Sequence, residues 1–237
     1  MPSTNYSVNL STTIMTYEEK RLENLFWVRD RLEERFGPIE KDRTRSPLDT
    51  LIQTVLSQNT NDNNRDKAEI SLWEAFDSYE EIADASKETI AEAIKTAGLQ
   101  HQKAKTIKGI LTGLREMGGL ELDYLDDLGP KETWGKLMEF DGVGKKTAAV
   151  VSLFALNKPI FPVDTHVRRV TTRLKLIKSG ENHHETLTEL VPEEDMYQFH
   201  LHLIRHGRET CKSRKPQCRD CVLLDRCPTG RDKLEQG

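Results

Sequence analysis

The apolar residues of this 237-residue chain recur at helical spacing, and this periodicity constrains the fold more than any other feature. One stripe follows an N-cap serine and a first-turn proline, Ser46 and Pro47, with Asp49 three residues after the cap. It runs through Leu48, Leu51, Ile52, Val55 and Leu56. Similar stripes fill most of the chain, and the sequence contains no alternating strand pattern of useful length. We therefore predict an all-α fold of about ten helices.

The composition predicts a soluble globular protein, because 36% of the residues are apolar and 31% are charged. The longest nearly apolar run, residues 148–156, is too short to cross a bilayer, so we expect no membrane partner. Residues 1–16 are rich in Ser, Thr and Asn and do not follow the pattern of a signal peptide. We interpret them as a flexible tail on a cytoplasmic protein.

Positive charge is clustered although the net charge is −4. Residues 142–178 contain eight Lys or Arg against one acid, and residues 201–231 contain eight against three. Phosphate binding requires a local positive face, and the net charge does not decide it. Charge alone therefore leaves two interpretations open, a DNA-binding surface and two solvated basic helices.

All four cysteines lie in one stretch near the C-terminus with the spacing Cys-x6-Cys-x2-Cys-x5-Cys. They are Cys211, Cys218, Cys221 and Cys227. Such crowding favours a metal centre over disulfides in a cytosolic protein. Four thiolates suit zinc and an iron–sulfur cluster alike, and both remain open at this point. The loop between the first two cysteines forms a phosphate clamp or simply a solvated loop; its basic residues are Lys212, Arg214 and Lys215.

A glycine turn separates two apolar helical segments at Gly142, Val143 and Gly144. Glycines allow two helices to meet across a tight turn and leave backbone N–H groups open to a phosphate. The positive end of the following helix dipole adds to this attraction, as does Lys145. The pattern predicts a helix–hairpin–helix that contacts the DNA backbone, with an ordinary turn as the alternative.

Lys146 and Asp164 are the candidate catalytic pair. Lys146 lies in the first turn of a helix beside Lys145, and both cation and helix end are expected to lower its pKa. A lysine with a lowered pKa can act as a nucleophile, whereas the alternative is that both lysines bind phosphate. Asp164 precedes a helix and is predicted to be its N-cap; a carboxylate near a lysine can also activate it. His166 is interpreted as structural or phosphate-facing.

In combination, these motifs resemble the endonuclease III branch of the helix–hairpin–helix DNA glycosylases. The resemblance covers roughly residues 16–227 and depends on Lys-Lys-Thr-Ala after the hairpin, Val-Asp-Thr-His about eighteen residues later, and the cysteine tail. It implies a [4Fe–4S] cluster on the four cysteines. It also implies that Lys146 is the nucleophile, that Asp164 is the catalytic aspartate, and that residues 142–145 contact the DNA backbone.

Two further segments resemble the family's DNA-inserting loops more loosely. Gln58 and Asn59 lie where an amide fills the gap left by an extruded base, and the sequence does not say which one enters. Leu99 and Gln100 lie in a second, wedge-like loop. Gln100 replaces a frequent aromatic residue and Arg168 replaces an apolar one, so the lesion preference is left open.

The resemblance implies two helical lobes with the DNA-binding cleft between them. We expect a six-helix lobe with the hairpin at residues 45–151, and a cluster lobe made of residues 17–44 and 152–237. We expect a monomer that acts on double-stranded DNA with a damaged base or abasic site, associated with the nucleoid in the cytoplasm.

The expected activity is base-excision repair by a bifunctional enzyme. As a glycosylase it removes a damaged base, expected to be an oxidised pyrimidine; as an AP lyase it cuts 3′ to the site by β-elimination through a lysine Schiff base. One alternative is a glycosylase of the same superfamily for alkylated or mismatched bases. The other is a non-catalytic, metal-stabilised DNA-binding module.

Overall fold

The computed structural model describes residues 15–41 and 44–235, and these fold into twelve α-helices and three short 3-10 helices. The α-helices are α1 (Tyr17–Phe36), α2 (Pro47–Leu56), α3 (Asp62–Ala75), α4 (Tyr79–Asp84), α5 (Lys87–Ala93), α6 (Gln100–Glu116), α7 (Pro130–Leu137), α8 (Lys145–Phe154), α9 (Thr165–Arg173), α10 (His183–Leu190), α11 (Glu193–Glu209) and α12 (Pro228–Glu235). The 3-10 helices are Lys95–Ala97, Asp123–Leu125 and Leu224–Arg226.

Since no strand occurs among the described residues, the predicted all-α class is confirmed. The predicted number of helices was too low. One of the twelve, α4, contains only six residues, which is too short for a repeating apolar stripe to mark it. None of the described helices combines the length and the apolar character that a bilayer crossing requires.

Side-chain caps explain why several helices begin where they do. The Ser46 hydroxyl accepts a hydrogen bond from the Asp49 amide at 3.1 Å, and the Asp49 carboxylate accepts one from the Ser46 amide at 3.2 Å. Such a reciprocal capping box satisfies two backbone donors that a helix start leaves unpaired. Thr16 caps α1 in the same way. Thr16 therefore belongs to the first helix rather than to the predicted tail, of which residues 1–14 lie outside the described part.

The buried apolar side chains form two separate cores. The first core draws on α2 to α8 and includes Leu51, Leu72 and Leu111. The second combines α1 with α9 to α11 and includes Leu25 and Phe199. We call the surrounding regions the first lobe and the second lobe, and this two-lobe arrangement agrees with the expectation.

Helix α8 contributes to both cores. Ala148 and Val151 of this helix belong to the first core and Leu153 to the second, and Leu156, just after the helix, belongs again to the first. The segment 45–151 thus contains α2 to α7 complete and the beginning of α8, which continues to Phe154. The chain therefore passes from the first lobe to the C-terminal part of the second lobe within and just after this helix.

Candidate active site and nucleic-acid interface

The glycine hairpin connects α7 to α8 and has a backbone that only glycine allows. Gly142 has φ +86°, and a Cβ placed there would lie 2.1 Å from the Thr106 hydroxyl oxygen. Val143 is buried and anchors the turn in the first core. Gly144 is the N-cap of α8 and offers no side-chain cap. The first amides of α8 are therefore available to a phosphate oxygen.

Lys146 occupies the first turn of α8, and its amine makes no hydrogen bond or ion pair within 4.0 Å among the residues that the structure describes. Burial lowers the pKa of Lys146, and the cations Arg65 and Arg208 lower it further, whereas Asp164 raises it. The predicted direction is thus confirmed, but one of the two predicted causes, the neighbouring Lys145, was wrong. Burial and two arginines that are distant in the sequence lower the pKa of Lys146, and the neighbouring Lys145 is not among the causes.

Asp164 is the N-cap of α9, as predicted. One carboxylate oxygen accepts a hydrogen bond from the Val167 amide at 2.7 Å. The other oxygen receives no hydrogen bond from any described residue. The cap fixes the carboxylate in position and leaves one oxygen free to interact within the cleft.

Lys146 and Asp164 line the same cleft, which has a volume of about 1440 Å³. This exceeds the roughly 300–1,000 Å³ of ordinary small-molecule pockets. Four arginines from different parts of the chain line it as well, Arg45, Arg65, Arg168 and Arg208. A large open cleft with a positive wall suits a polyanion better than a small metabolite.

His200 is a cleft residue that the sequence interpretation missed. It is buried, its Nδ1 lies 2.9 Å from the Pro162 carbonyl oxygen, and its ring packs edge-on against Phe154. Burial lowers the pKa of His200 to about 4, although Asp164 opposes this shift. The imidazole is therefore neutral at physiological pH. It stands in the apolar stripe of α11, where only tertiary contacts identify it as part of the cleft.

The two amide side chains of the first DNA-inserting loop have different environments. Gln58 donates from Nε2 to the Gly142 carbonyl at 3.2 Å and to the Thr147 hydroxyl at 3.3 Å. Asn59 is exposed, lines the cleft and has a left-handed backbone with φ +52°. Both residues line the cleft, but Gln58 is hydrogen-bonded to the hairpin, whereas Asn59 is exposed.

The second loop presents an apolar side chain to solvent. Leu99 is 53% exposed and has φ +50°, directly after Gly98 at φ +67°. Gln100 begins α6 and is half-buried. A left-handed backbone at a branched apolar residue costs free energy, and such strain tends to occur at functional sites.

The four cysteines line a single cavity in the second lobe, beside Arg173 and Leu223. Burial, together with the other three thiols, raises the pKa of Cys221 to about 11. Within the described ranges, no three His, Cys, Asp or Glu residues are arranged to hold one metal ion. The thiols are neighbours, but they are not arranged as a tight single-ion site.

The basic loop after Cys211 is held by a neighbouring guanidinium. Arg173 donates to the Lys212 carbonyl at 2.8 Å and to the Ser213 carbonyl at 2.9 Å, and its Nη1 lies 3.2 Å from the Cys211 sulfur. The three basic side chains of the loop are exposed: Lys212, Arg214 and Lys215. The loop therefore displays positive charge on a backbone that the second lobe fixes in place.

Other predicted residues have mainly structural contacts. His166 Nδ1 lies 3.0 Å from the Arg169 guanidinium, which also donates to the Gly207 carbonyl. Lys145 is exposed at the hairpin, with its amine 5.9 Å from the centre of the Trp134 ring. Arg168 is exposed on the cleft wall.

Comparison with known proteins agrees with this geometry. Residues 52–193 match the HhH-GPD superfamily of base excision DNA repair proteins. Endonuclease III of Thermotoga maritima is 36% identical over 184 residues, which cover 76% of this chain and 82% of that one. Endonuclease III of Sulfolobus acidocaldarius is 35% identical over 198 residues, covering 81% and 86% of the two chains.

A solved structure of a trapped endonuclease III–DNA covalent intermediate has the same fold. It superposes with a TM-score of 0.77 at 28% identity and covers 93% of this chain and all of that one. The profile match spans more than half of this chain, and the sequence relatives are more than 30% identical over most of their length. The chain therefore belongs to the endonuclease III family of the HhH-GPD superfamily of base excision DNA repair proteins.

Proposed function

We propose that Lys146 and Asp164 are the nucleophile and the supporting carboxylate of this chain's glycosylase and AP lyase activities. Family membership makes the protein a base-excision repair enzyme that is both a DNA glycosylase and an AP lyase. The observation that carries the assignment is the unpaired amine of Lys146, which shares one cleft with Asp164 and has a pKa lowered by burial.

The chemistry requires a free amine at the sugar. The nitrogen of Lys146 forms a bond to C1′ of the extruded nucleotide while the bond between C1′ and the damaged base breaks. Opening of the sugar ring then gives an imine between Lys146 and C1′. Loss of a proton from C2′ breaks the C3′–O bond, which cuts the strand on the 3′ side. A lowered pKa increases the fraction of Lys146 that can start this sequence.

Asp164 supports the same steps through its charge. Its unengaged oxygen is placed to accept a proton from the amine and to stabilise positive charge on the sugar as the base departs. The N-cap hydrogen bond to α9 uses only one carboxylate oxygen, so the second oxygen remains available. His200 lies behind the pair as a neutral imidazole and adds no competing positive charge.

The DNA contacts are assigned from exposure and backbone geometry. We propose that Asn59 enters the gap left by the extruded base, because Gln58 is already engaged with the hairpin. Leu99 is the apolar wedge, and the adjacent Gln100 faces the DNA. Residues 142–145 and the basic loop with Lys212, Arg214 and Lys215 contact phosphates on either side.

The four cysteines fit a [4Fe–4S] cluster better than a single zinc ion. They line one cavity, yet they are not gathered around one ion as tetrahedral zinc requires. When bound, such a cluster supplies a rigid four-point attachment for the chain after Thr210. We propose that Cys211, Cys218, Cys221 and Cys227 hold it and that its role is to support the basic loop.

Three further assignments complete the proposal. The substrate is double-stranded DNA with an oxidised pyrimidine or an abasic site, in keeping with the family, and the enzyme acts as a nucleoid-associated cytoplasmic monomer. Residues 45–151 form the hairpin lobe, whereas residues 17–44 and 152–237 form the cluster lobe. A panel of oxidised, deaminated, alkylated and mismatched duplexes tests the lesion class, and light scattering tests the monomer.

Borohydride trapping on an abasic duplex tests the catalytic assignment. The wild-type protein is expected to form a covalent adduct and the Lys146→Ala variant none. Lys145→Ala is the matched control: it removes a neighbouring exposed amine and should retain the adduct at saturating enzyme concentration. An adduct with Lys146→Ala, or none with the wild type, contradicts the proposal.

A further inference from the structure

Lys103, in the first turn of α6, is a buried cation that the proposed mechanism does not use. Its side chain is 2% exposed, and it is among the largest fully buried side chains of the described chain. Burial alone lowers the pKa of Lys103 to about 8, and no charged group contributes to that shift. A buried ammonium without a counter-charge is unfavourable unless strong hydrogen-bond acceptors surround it.

Two backbone carbonyls supply those acceptors. Lys103 Nζ donates to the carbonyl oxygens of Leu56 and Ala97, each at 2.8 Å. Leu56 is the last residue of α2, and Ala97 is the last residue of the 3-10 helix Lys95–Ala97. Carbonyls at helix C-termini carry partial negative charge and are left unpaired by the helix itself. One amine therefore joins the ends of two helices.

Each of these helix ends leads directly into a DNA-inserting loop. Asn59, with φ +52°, comes three residues after Leu56, and Leu99, with φ +50°, comes two residues after Ala97. The loops meet at the cleft, which is lined by Asn59 from one side and by Gly98 from the other. Left-handed backbones at residues other than glycine persist only where the surroundings hold them.

We propose that Lys103 is a positioning residue that sets the spacing between Asn59 and Leu99, so that both side chains enter the duplex together. This inference rests on the insertion roles proposed above for those two residues. Lys103 itself touches neither DNA nor the reacting atoms. Its effect is therefore confined to the step that opens the duplex and extrudes the lesion.

Another lysine of α6 provides a matched control. Lys108 donates to the carbonyls of Ala83 and Ala85, and so joins α6 to the end of α4 by the same kind of contact. Neither Lys103 nor Lys108 lines the cleft. Each of the substitutions Lys103→Met and Lys108→Met removes an amine that donates to two backbone carbonyls in the first lobe. Only the carbonyls bound by Lys103 lie next to the DNA-inserting loops.

The test compares lyase rates on two abasic substrates under single-turnover conditions. A single-stranded abasic oligonucleotide requires no insertion into a base stack, whereas an abasic duplex does. For Lys103→Met we expect the duplex rate to fall by roughly 10- to 100-fold, because a misplacement of about 1 Å in positioning groups can cost on the order of 100-fold. The single-strand rate should remain unchanged. Lys108→Met should change neither rate.

A spectroscopic measurement reports the insertion step itself. With 2-aminopurine opposite a stable abasic analogue, wild-type binding should alter the fluorescence of the orphaned base, and Lys103→Met should lose most of this change. Lys103→Gln, which can still donate to one carbonyl, should give an intermediate loss. These results together support the positioning role.

The outcomes separate this inference from the proposed function. If the wild type cleaves neither substrate, the proposed function fails. If the wild type cleaves both and Lys103→Met keeps its duplex rate, or loses both rates equally, the positioning role is overturned. Failure of both Lys103 variants to fold assigns the residue to lobe stability alone and overturns it as well.

Discussion

The two lobes are stabilised by different means. The first lobe has a continuous core of 26 buried apolar side chains between Leu48 and Leu156. The second has 17, and after Thr210 Leu223 is the one buried apolar side chain among the described residues. The C-terminal segment instead surrounds a cavity lined by thiols. Apolar burial thus accounts for the first lobe, whereas the end of the second lobe has little apolar burial and contains the cysteines proposed to hold the cluster.

Removal of the proposed cluster should have the largest effect and should affect only one lobe. Structural metals contribute on the order of 10 kcal/mol to folding, so chelation or Cys221→Ser should unfold the segment after Thr210. Hydrogen exchange should show lost protection there and retained protection in α2 and α6. Val222→Ser, one residue away, is the control. Loss of protection throughout the chain would show that the two lobes do not differ in this way.

Asp164 at the start of α9 is a carboxylate that the second lobe contributes to the cleft. Asp164→Asn keeps a good N-cap for α9 but removes the negative charge near Lys146. Base release should slow by about 10²- to 10⁴-fold, since that is the usual contribution of a positioned acid or base. Affinity for an uncleavable damaged duplex should stay near that of the wild type. Equal losses in release and binding would contradict the assigned role.

A pair of leucine truncations sharpens the comparison between the lobes. Leu111 and Leu223 are both buried, one in each core. Leu111→Ala should cost about 2–5 kcal/mol of the free energy of unfolding, because it leaves a cavity in a core without other support. Leu223→Ala should cost less while the metal is bound. Denaturant titrations of both variants measure the difference, and similar costs would count against it.

The smallest predicted effect is a shift in pH dependence. Arg208 of the second lobe lowers the pKa of Lys146 in the first lobe, so Arg208→Gln should raise it. The amine reacts only when unprotonated, so activity falls as pH drops through this pKa. The acidic limb of the lyase profile should therefore move to higher pH. Arg205→Gln, on the same helix, should leave the limb in place.

Local signals were enough to predict much of this molecule. The capped start of α2 and the capping role of Asp164 depend on neighbouring residues, so a single sequence shows them. The hairpin glycine at position 142 was predicted for the same reason. The short helix α4 was missed because its apolar face is too brief to repeat.

The remaining features depend on contacts between distant segments. Burial lowers the pKa of Lys146, Asp164 opposes this shift and Arg65 and Arg208 add to it, and neither the burial nor the distances can be read from spacing. The choice between Gln58 and Asn59 depends on a hydrogen bond that spans 84 positions in the sequence. His200 gave no signal, since a histidine within an apolar helical stripe is indistinguishable from a core residue.

The sharing of α8 between the two cores has a mechanical consequence. No motion that keeps both cores packed can separate α8 from either lobe, because Ala148 and Val151 pack in the first core and Leu153 packs in the second. Lys146, on the first turn of α8, is therefore carried by a helix that is tied to both cores and not by a loop.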